Sequence, residues 1–79
     1  MYYVYILKSL NYRKSYVGSS NDVERRLQEH NTGKSLYTRR HKPWIILKTE
    51  EFNNYKEARK KELFYKSGIG REELRKLFT

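Results

Sequence analysis

The run Tyr2, Tyr3, Val4, Tyr5, Ile6, Leu7 constrains the fold more than any other part of the chain. Aromatic and β-branched side chains fill it without the polar alternation of a strand facing water. It predicts a strand covered on both faces. With 79 residues, the chain makes one domain, spanning 1–79, whose small core stabilises it only marginally. A polar stretch from Ser9 to Ser15 follows and reads as a hairpin loop. Tyr16, Val17 and Gly18 form a second short strand, most simply antiparallel to the first.

Asn21 is placed to cap a helix, with Glu24 three residues on as in a capping box. The helix runs to about Asn31, and Gly33 stops it. Lys34 to Pro43, polar and basic, reads as a surface loop, and Trp44 to Leu47 as a third strand apolar enough to be central. Asn53 or Asn54 caps a helix to about Lys66; Ser67, Gly68, Ile69 and Gly70 break it, and Arg71 to Phe78 is helical again. The expected fold is α/β (α+β): a small three-stranded, largely antiparallel sheet flanked by helices, in the order β-β-α-β-α-α.

Apolar residues make up only 37 % of the chain, yet aromatic ones reach 15 %, eight of them tyrosines. Tyrosine rings can fill a core if their hydroxyls find partners, so a disordered basic tail is excluded. Eighteen Lys and Arg against nine Asp and Glu leave a net charge of +9. That excess points to a polyanionic partner. Nucleic acid fits better than a membrane surface, because no long basic amphipathic helix stands out. There is no cysteine, which removes disulfides, thiolate metal sites and cysteine nucleophiles. The apolar start is too short for a signal peptide, and no stretch approaches a membrane span, so a cytoplasmic location is expected.

Helical spacing marks two places. In the first helix Val23 and Leu27 face the core, Arg26 and His30 lie beside that stripe, and Arg25 points to solvent. Arg26 either snorkels over apolar surface or serves a site. In the second, Tyr55, Ala58, Glu62 and Tyr65 share one face. A carboxylate in that stripe is costly unless paired or bound to a cation. Both a structural salt bridge and a functional site satisfy the pattern.

These pieces in order resemble the GIY-YIG nuclease superfamily. The likeness is to its small bacterial single-domain members, related to the N-terminal nuclease domain of the excision-repair protein UvrC. The half-motifs are Tyr3-Val4-Tyr5 and Tyr16-Val17-Gly18, followed by "YVGSSNDVERRLQEH" and "EARKKELFYKSGIGREEL", and the likeness covers nearly the whole chain. The resemblance implies Tyr5 and Tyr16 as the motif tyrosines, Arg26 as the helix arginine, His30 as the histidine one turn later and Glu62 as the metal-binding glutamate. Tyr37 matches loosely a loop tyrosine of homing-type members. Tyr3 stands where the first motif normally has glycine. The asparagine that many members carry beyond the glutamate helix has no counterpart in "SGIGREELRKLF".

The implied activity is metal-dependent hydrolysis of DNA phosphodiesters in repair or related DNA processing. One Mg2+ or Mn2+ on Glu62 would polarise the phosphate and support the leaving oxygen, since magnesium keeps most of its waters and needs only one or two carboxylates. Arg26 would clamp the phosphate through its planar fork. Tyr16 is the candidate general base, with Tyr5 second and His30 as either relay or support. A phenol, titrating near ~10, becomes a useful base only beside positive charge. Gly18 either takes a backbone conformation denied to other residues, lets DNA approach closely, or is an ordinary turn glycine. Lys34, Arg39, Arg40, Lys42, Arg71, Arg75 and Lys76 would contact phosphates, which sets position without reading bases. Selectivity would then come from DNA shape or from a partner protein. Nothing in the chain detects a 2′ hydroxyl, so RNA stays open beside DNA. A non-catalytic, sequence-independent nucleic-acid-binding module is the competing function, and an interaction protein with purely structural tyrosines is a third.

Overall fold

The computed structural model describes residues 1–77. Three strands, β1 (Tyr2–Ser9), β2 (Ser15–Ser20) and β3 (Trp44–Phe52), form one antiparallel sheet in the order β2-β1-β3. Four helices join them: α1 (Val23–Thr32), α2 (Leu36–Arg40), α3 (Tyr55–Tyr65) and α4 (Gly68–Lys76). The apolar run of β1 takes the middle of the sheet, and Val4, Tyr5, Ile6 and Leu7 are all buried. β3, expected to be central, lies at the edge and extends to Phe52, because its second half is polar enough to face water. β2 is the other edge strand and is longer than its three apolar residues imply.

Strand alternation divides the core in two. Val4, Ile6 and Val17 pack on one face against Ala58 and Tyr65 of α3 and Leu74 of α4. Tyr5, Leu7 and Trp44 form the other face, joined by Tyr16 and by Val23 and Leu27 of α1. Two hydrogen bonds of the Asn31 side-chain amide, which accepts from the Trp44 N–H and donates to its carbonyl, tie α1 to the start of β3. α3 has three of its four predicted inward residues buried; Tyr55 is exposed and meets Tyr2 edge-on.

Helix ends differ from expectation in instructive ways. Asp22, not Asn21, caps α1, its carboxylate accepting from the Arg25 amide at 3.1 Å. A charged acceptor suits the positive helix end better than an amide one residue too early. Gly33 stops α1 at a positive φ of 89°, as its position predicts. The segment read as a loop contains α2, which follows Ser35. Asn54 caps α3. The Ser67–Gly70 break is tighter than expected: Ser67 caps α4, which begins at once at Gly68. Gly70 makes this corner possible, since a methyl there would lie 1.8 Å from the Phe64 carbonyl oxygen. Phe78, read as the end of the last helix, lies outside the described residues. Among those residues no helix is long and apolar enough to cross a membrane.

Candidate active site

Tyr5 and Gly18 are register partners on β1 and β2. A methyl at Gly18 would come within 2.5 Å of the Tyr5 hydroxyl. The missing side chain therefore lets the phenol lie across β2 toward the edge of the sheet. Gly18 has no positive φ, so no backbone conformation special to glycine is used there; the group that lies close to it is the Tyr5 ring. There its oxygen meets two residues of α1: the Arg26 Nε–H donates to it at 3.4 Å, and His30 Nε2 stands 3.2 Å away. The spacing of four that put Arg26 and His30 on one side of the helix thus delivers both to a single phenol.

His30 is deeper than the sequence indicates. It is 1 % exposed, within the core and not beside it. Its Nδ1 lies 3.0 Å from the hydroxyl of Thr38, a fully buried residue of α2. The α2 helix supplies that partner, and reading the segment as a loop hid it. Tyr16 packs its ring 4.6 Å from the imidazole, and the Tyr37 ring lies 6.3 Å from that of Tyr16. Burial, then the Arg26 charge, hold His30 below the ordinary imidazole range. Burial raises the Tyr5 phenol despite the Arg26 contact. Arg26 also pairs with Glu29 at 2.5 Å, which fixes the guanidinium from two sides.

Glu62 approaches from the opposite face of the sheet. It is 5 % exposed. Its Oε1 accepts from Ser19 of β2 at 2.7 Å, and its Oε2 accepts from Arg59 and Lys66 at 2.9 and 2.8 Å. Burial opposes the charge, but Lys66, Ser19 and Arg59 outweigh it, so the carboxyl sits below its usual range. The buried carboxylate is thus both salt-bridged, as one reading held, and charged at neutral pH. Ser19 neighbours Gly18, so Glu62 and the Tyr5 cluster flank the same edge strand from its two sides, and Glu62 is near enough for its charge to act on the Tyr5 phenol.

A hard, oxygen-seeking cation that keeps most of its own waters needs only one or two carboxylates, and here it would compete with Arg59 and Lys66 for the one carboxylate present. Glu62 supplies one ionised carboxylate beside one hydroxyl, and two cationic side chains already gather on Oε2. Among the described residues no group of three or more His, Asp or Glu could enclose a metal ion.

A cleft of about 660 Å³ opens beside β2. Tyr16 and Tyr37 line it, with Arg13 and Lys14 from the hairpin loop and Lys66, Arg71 and Arg75 from the α3–α4 corner. Among the described residues no acidic one lines it. Of the cations singled out in the sequence, Arg71 and Arg75 are walls of this cleft; Lys34, Arg39, Arg40, Lys42 and Lys76 are not. Arg13 and Lys14 were missed, although their place immediately before the Tyr16 strand was a usable signal. Ser19 and Thr38 carried none.

A three-stranded antiparallel sheet with two tyrosines, an arginine helix and a glutamate helix meeting at one edge strand defines a class, and the chain belongs to it: the GIY-YIG catalytic domain family, matched over residues 1–74. Within that class the chain is similar to UPF0213 proteins. One from Streptococcus agalactiae is 42 % identical over 65 residues, spanning 81 % of this chain and 73 % of that protein. UPF0213 protein YsiG of Lactococcus lactis is 33 % identical over 73 residues, spanning 91 % and 69 %. The solution NMR structure of a UPF0213 protein from Bacillus halodurans superposes with a TM-score of 0.55 at 35 % identity, covering 96 % of this chain and 83 % of that one.

Proposed function

We propose that this chain, as one domain over 1–79, is a metal-dependent endonuclease that hydrolyses DNA phosphodiesters. One observation carries the reading: Tyr5, Arg26 and Glu62 gather at the edge strand β2, whose first residues, Ser15, Tyr16 and Val17, wall a neighbouring basic cleft that those three residues do not themselves line. Arg26 is held by Tyr5 and Glu29 and acts as the phosphate clamp, its fixed charge gaining value as negative charge builds on the phosphate. Tyr16, in the cleft wall, takes the proton of the attacking water as its phenolate and becomes the neutral phenol; Tyr5, buried and committed to Arg26 and His30, is the weaker candidate and serves to aim them. Glu62, with Ser19 beside it, would hold Mg2+ or Mn2+, which would supply Lewis-acid stabilisation of the phosphate and its leaving oxygen. Arg13, Lys14, Lys66, Arg71 and Arg75 hold the backbone without reading sequence. Cleavage in repair or related DNA processing in the cytoplasm is the role this chemistry suits.

The second reading is a binding module without useful catalysis. It is favoured by the saturation of Glu62 by Ser19, Arg59 and Lys66 and by the missing distal asparagine. Nicking of plasmid and branched DNA at low salt, with Mg2+ or Mn2+, separates the two. The nuclease reading expects metal-dependent nicking that falls at least about 100-fold in Arg26→Ala and Glu62→Ala while DNA binding persists. Salt-sensitive binding by all three proteins with no cleavage of any form would establish the module instead.

A further inference from the structure

The hydroxyl of Thr38 lies between the His30 imidazole and a backbone carbonyl. Its proton is directed at the Ser35 carbonyl, 3.4 Å away and one turn earlier in the chain. A carbonyl can only accept, so a Thr38 proton directed there leaves the Thr38 oxygen to accept from His30 Nδ1, 3.0 Å away. The imidazole then carries its proton on Nδ1 and presents a lone pair at Nε2. Burial keeps it neutral, so one of the two nitrogens lacks a proton.

We infer that Thr38 is a positioning residue that fixes the tautomer of His30 and, through Tyr5, aims Arg26. With Nε2 unprotonated, the Tyr5 O–H donates to it at 3.2 Å. That turns the phenolic lone pairs toward the Arg26 Nε–H. The other tautomer would set Nε2–H and Nε–H against the same oxygen and leave the phenol proton without that acceptor. Thr38 is itself held rigid: it is fully buried, and the Trp44 indole N–H donates to its carbonyl at 2.8 Å. Four donors in series, Arg26 to Tyr5 to His30 to Thr38 to Ser35, thus run in one direction. The guanidinium, gripped at Nε by Tyr5 and at Nη1 by Glu29, keeps its remaining edge for a ligand. The role in aiming Arg26 rests on the phosphate-clamp reading; the tautomer does not.

Nitrogen NMR of the His30 ring in the intact protein tests this directly, in wild type, Thr38→Val and Thr38→Ser. Wild type and Thr38→Ser are expected to show a neutral ring with a protonated Nδ1 and a lone-pair Nε2 near pH 7. Thr38→Val, of nearly equal size, is expected to move the proton toward Nε2, to speed exchange of the Arg26 Nε–H, and to lower any nicking rate about tenfold with little change in DNA affinity. A wild-type ring protonated on Nε2 or on both nitrogens would overturn the inference, as would a Thr38→Val ring unchanged from wild type. Because the ring state is read without any substrate, a protein that cuts nothing would sink the nuclease reading and leave this one standing. If Thr38→Val does not fold, the wild-type ring and the serine variant still decide.

Discussion

Gly18 shows how one absent side chain sets the geometry of a site. The Tyr5 ring occupies the space a methyl would need, with its Cζ 2.6 Å from that position. Gly18→Ala must therefore push the phenol off β2 and away from Arg26. Such overpacking costs about 1–3 kcal/mol, which in a domain of this size lowers Tm by roughly 4–24 °C. A thermal melt reads the stability loss, and metal-dependent nicking, expected to fall with it, reads the displaced phenol. A melt and an Arg26 environment both unchanged would mean that the ring has another place to go. At this scale much of the site was legible beforehand. The four-residue step from Arg26 to His30 and the inward carboxylate of Glu62 follow from helix geometry alone. The depth of His30 was not legible, because its burial depends on Thr38 arriving from a segment whose charge made it look like a loop.

At the scale of elements, the cations divide by where their segments pack. α4 folds back on α3 because Gly70 allows the close corner, and that brings Arg71 and Arg75 opposite Arg13 and Lys14 of the hairpin loop. The basic residues around α2 lie elsewhere. Pairing of a hairpin loop with the last helix is a long-range event that no local pattern encodes, so the sequence identified α4 and overlooked the loop. The edge position of β3 was hidden for a related reason: Trp44 to Leu47 are as apolar as a central strand, but its polar remainder, Lys48 to Glu51, is what decides its place. The cleft makes a quantitative prediction. Arg13→Ala with Lys14→Ala, measured by fluorescence anisotropy on one duplex, should reduce the slope of log affinity against log salt by about 2. Arg39→Ala with Arg40→Ala should change it much less. Equal effects from the two pairs would mean that DNA does not follow the cleft.

The molecule as a whole is small and thin, 31 × 27 × 18 Å, and its sheet separates two modest cores. One of them contains an imidazole held neutral among Tyr5, Tyr16, Arg26 and Glu29. Its pKa in the fold lies below the unfolded value of about 6.5. The unfolded chain therefore binds the proton first as pH falls. Stability is complete above about pH 6.5 and declines below it until the folded value is reached, by at most about 1.4 kcal/mol per pH unit. Denaturant midpoints between pH 7.5 and 5 should fall in the wild type. In His30→Gln the upper part of that decline should vanish, even though the variant starts from lower stability. Parallel curves for the two proteins would place the acid sensitivity on other groups.

The division of reactive groups between the two faces of the sheet carries a further implication. Tyr5, Arg26 and His30 belong to the packing of α1, and Glu62 belongs to the packing of α3 on the other side. A chain that has docked only one of these helices holds only part of the set. For a protein whose proposed chemistry damages the very polymer that encodes it, competence arrives with the last act of folding, and an unfinished copy is a harmless one.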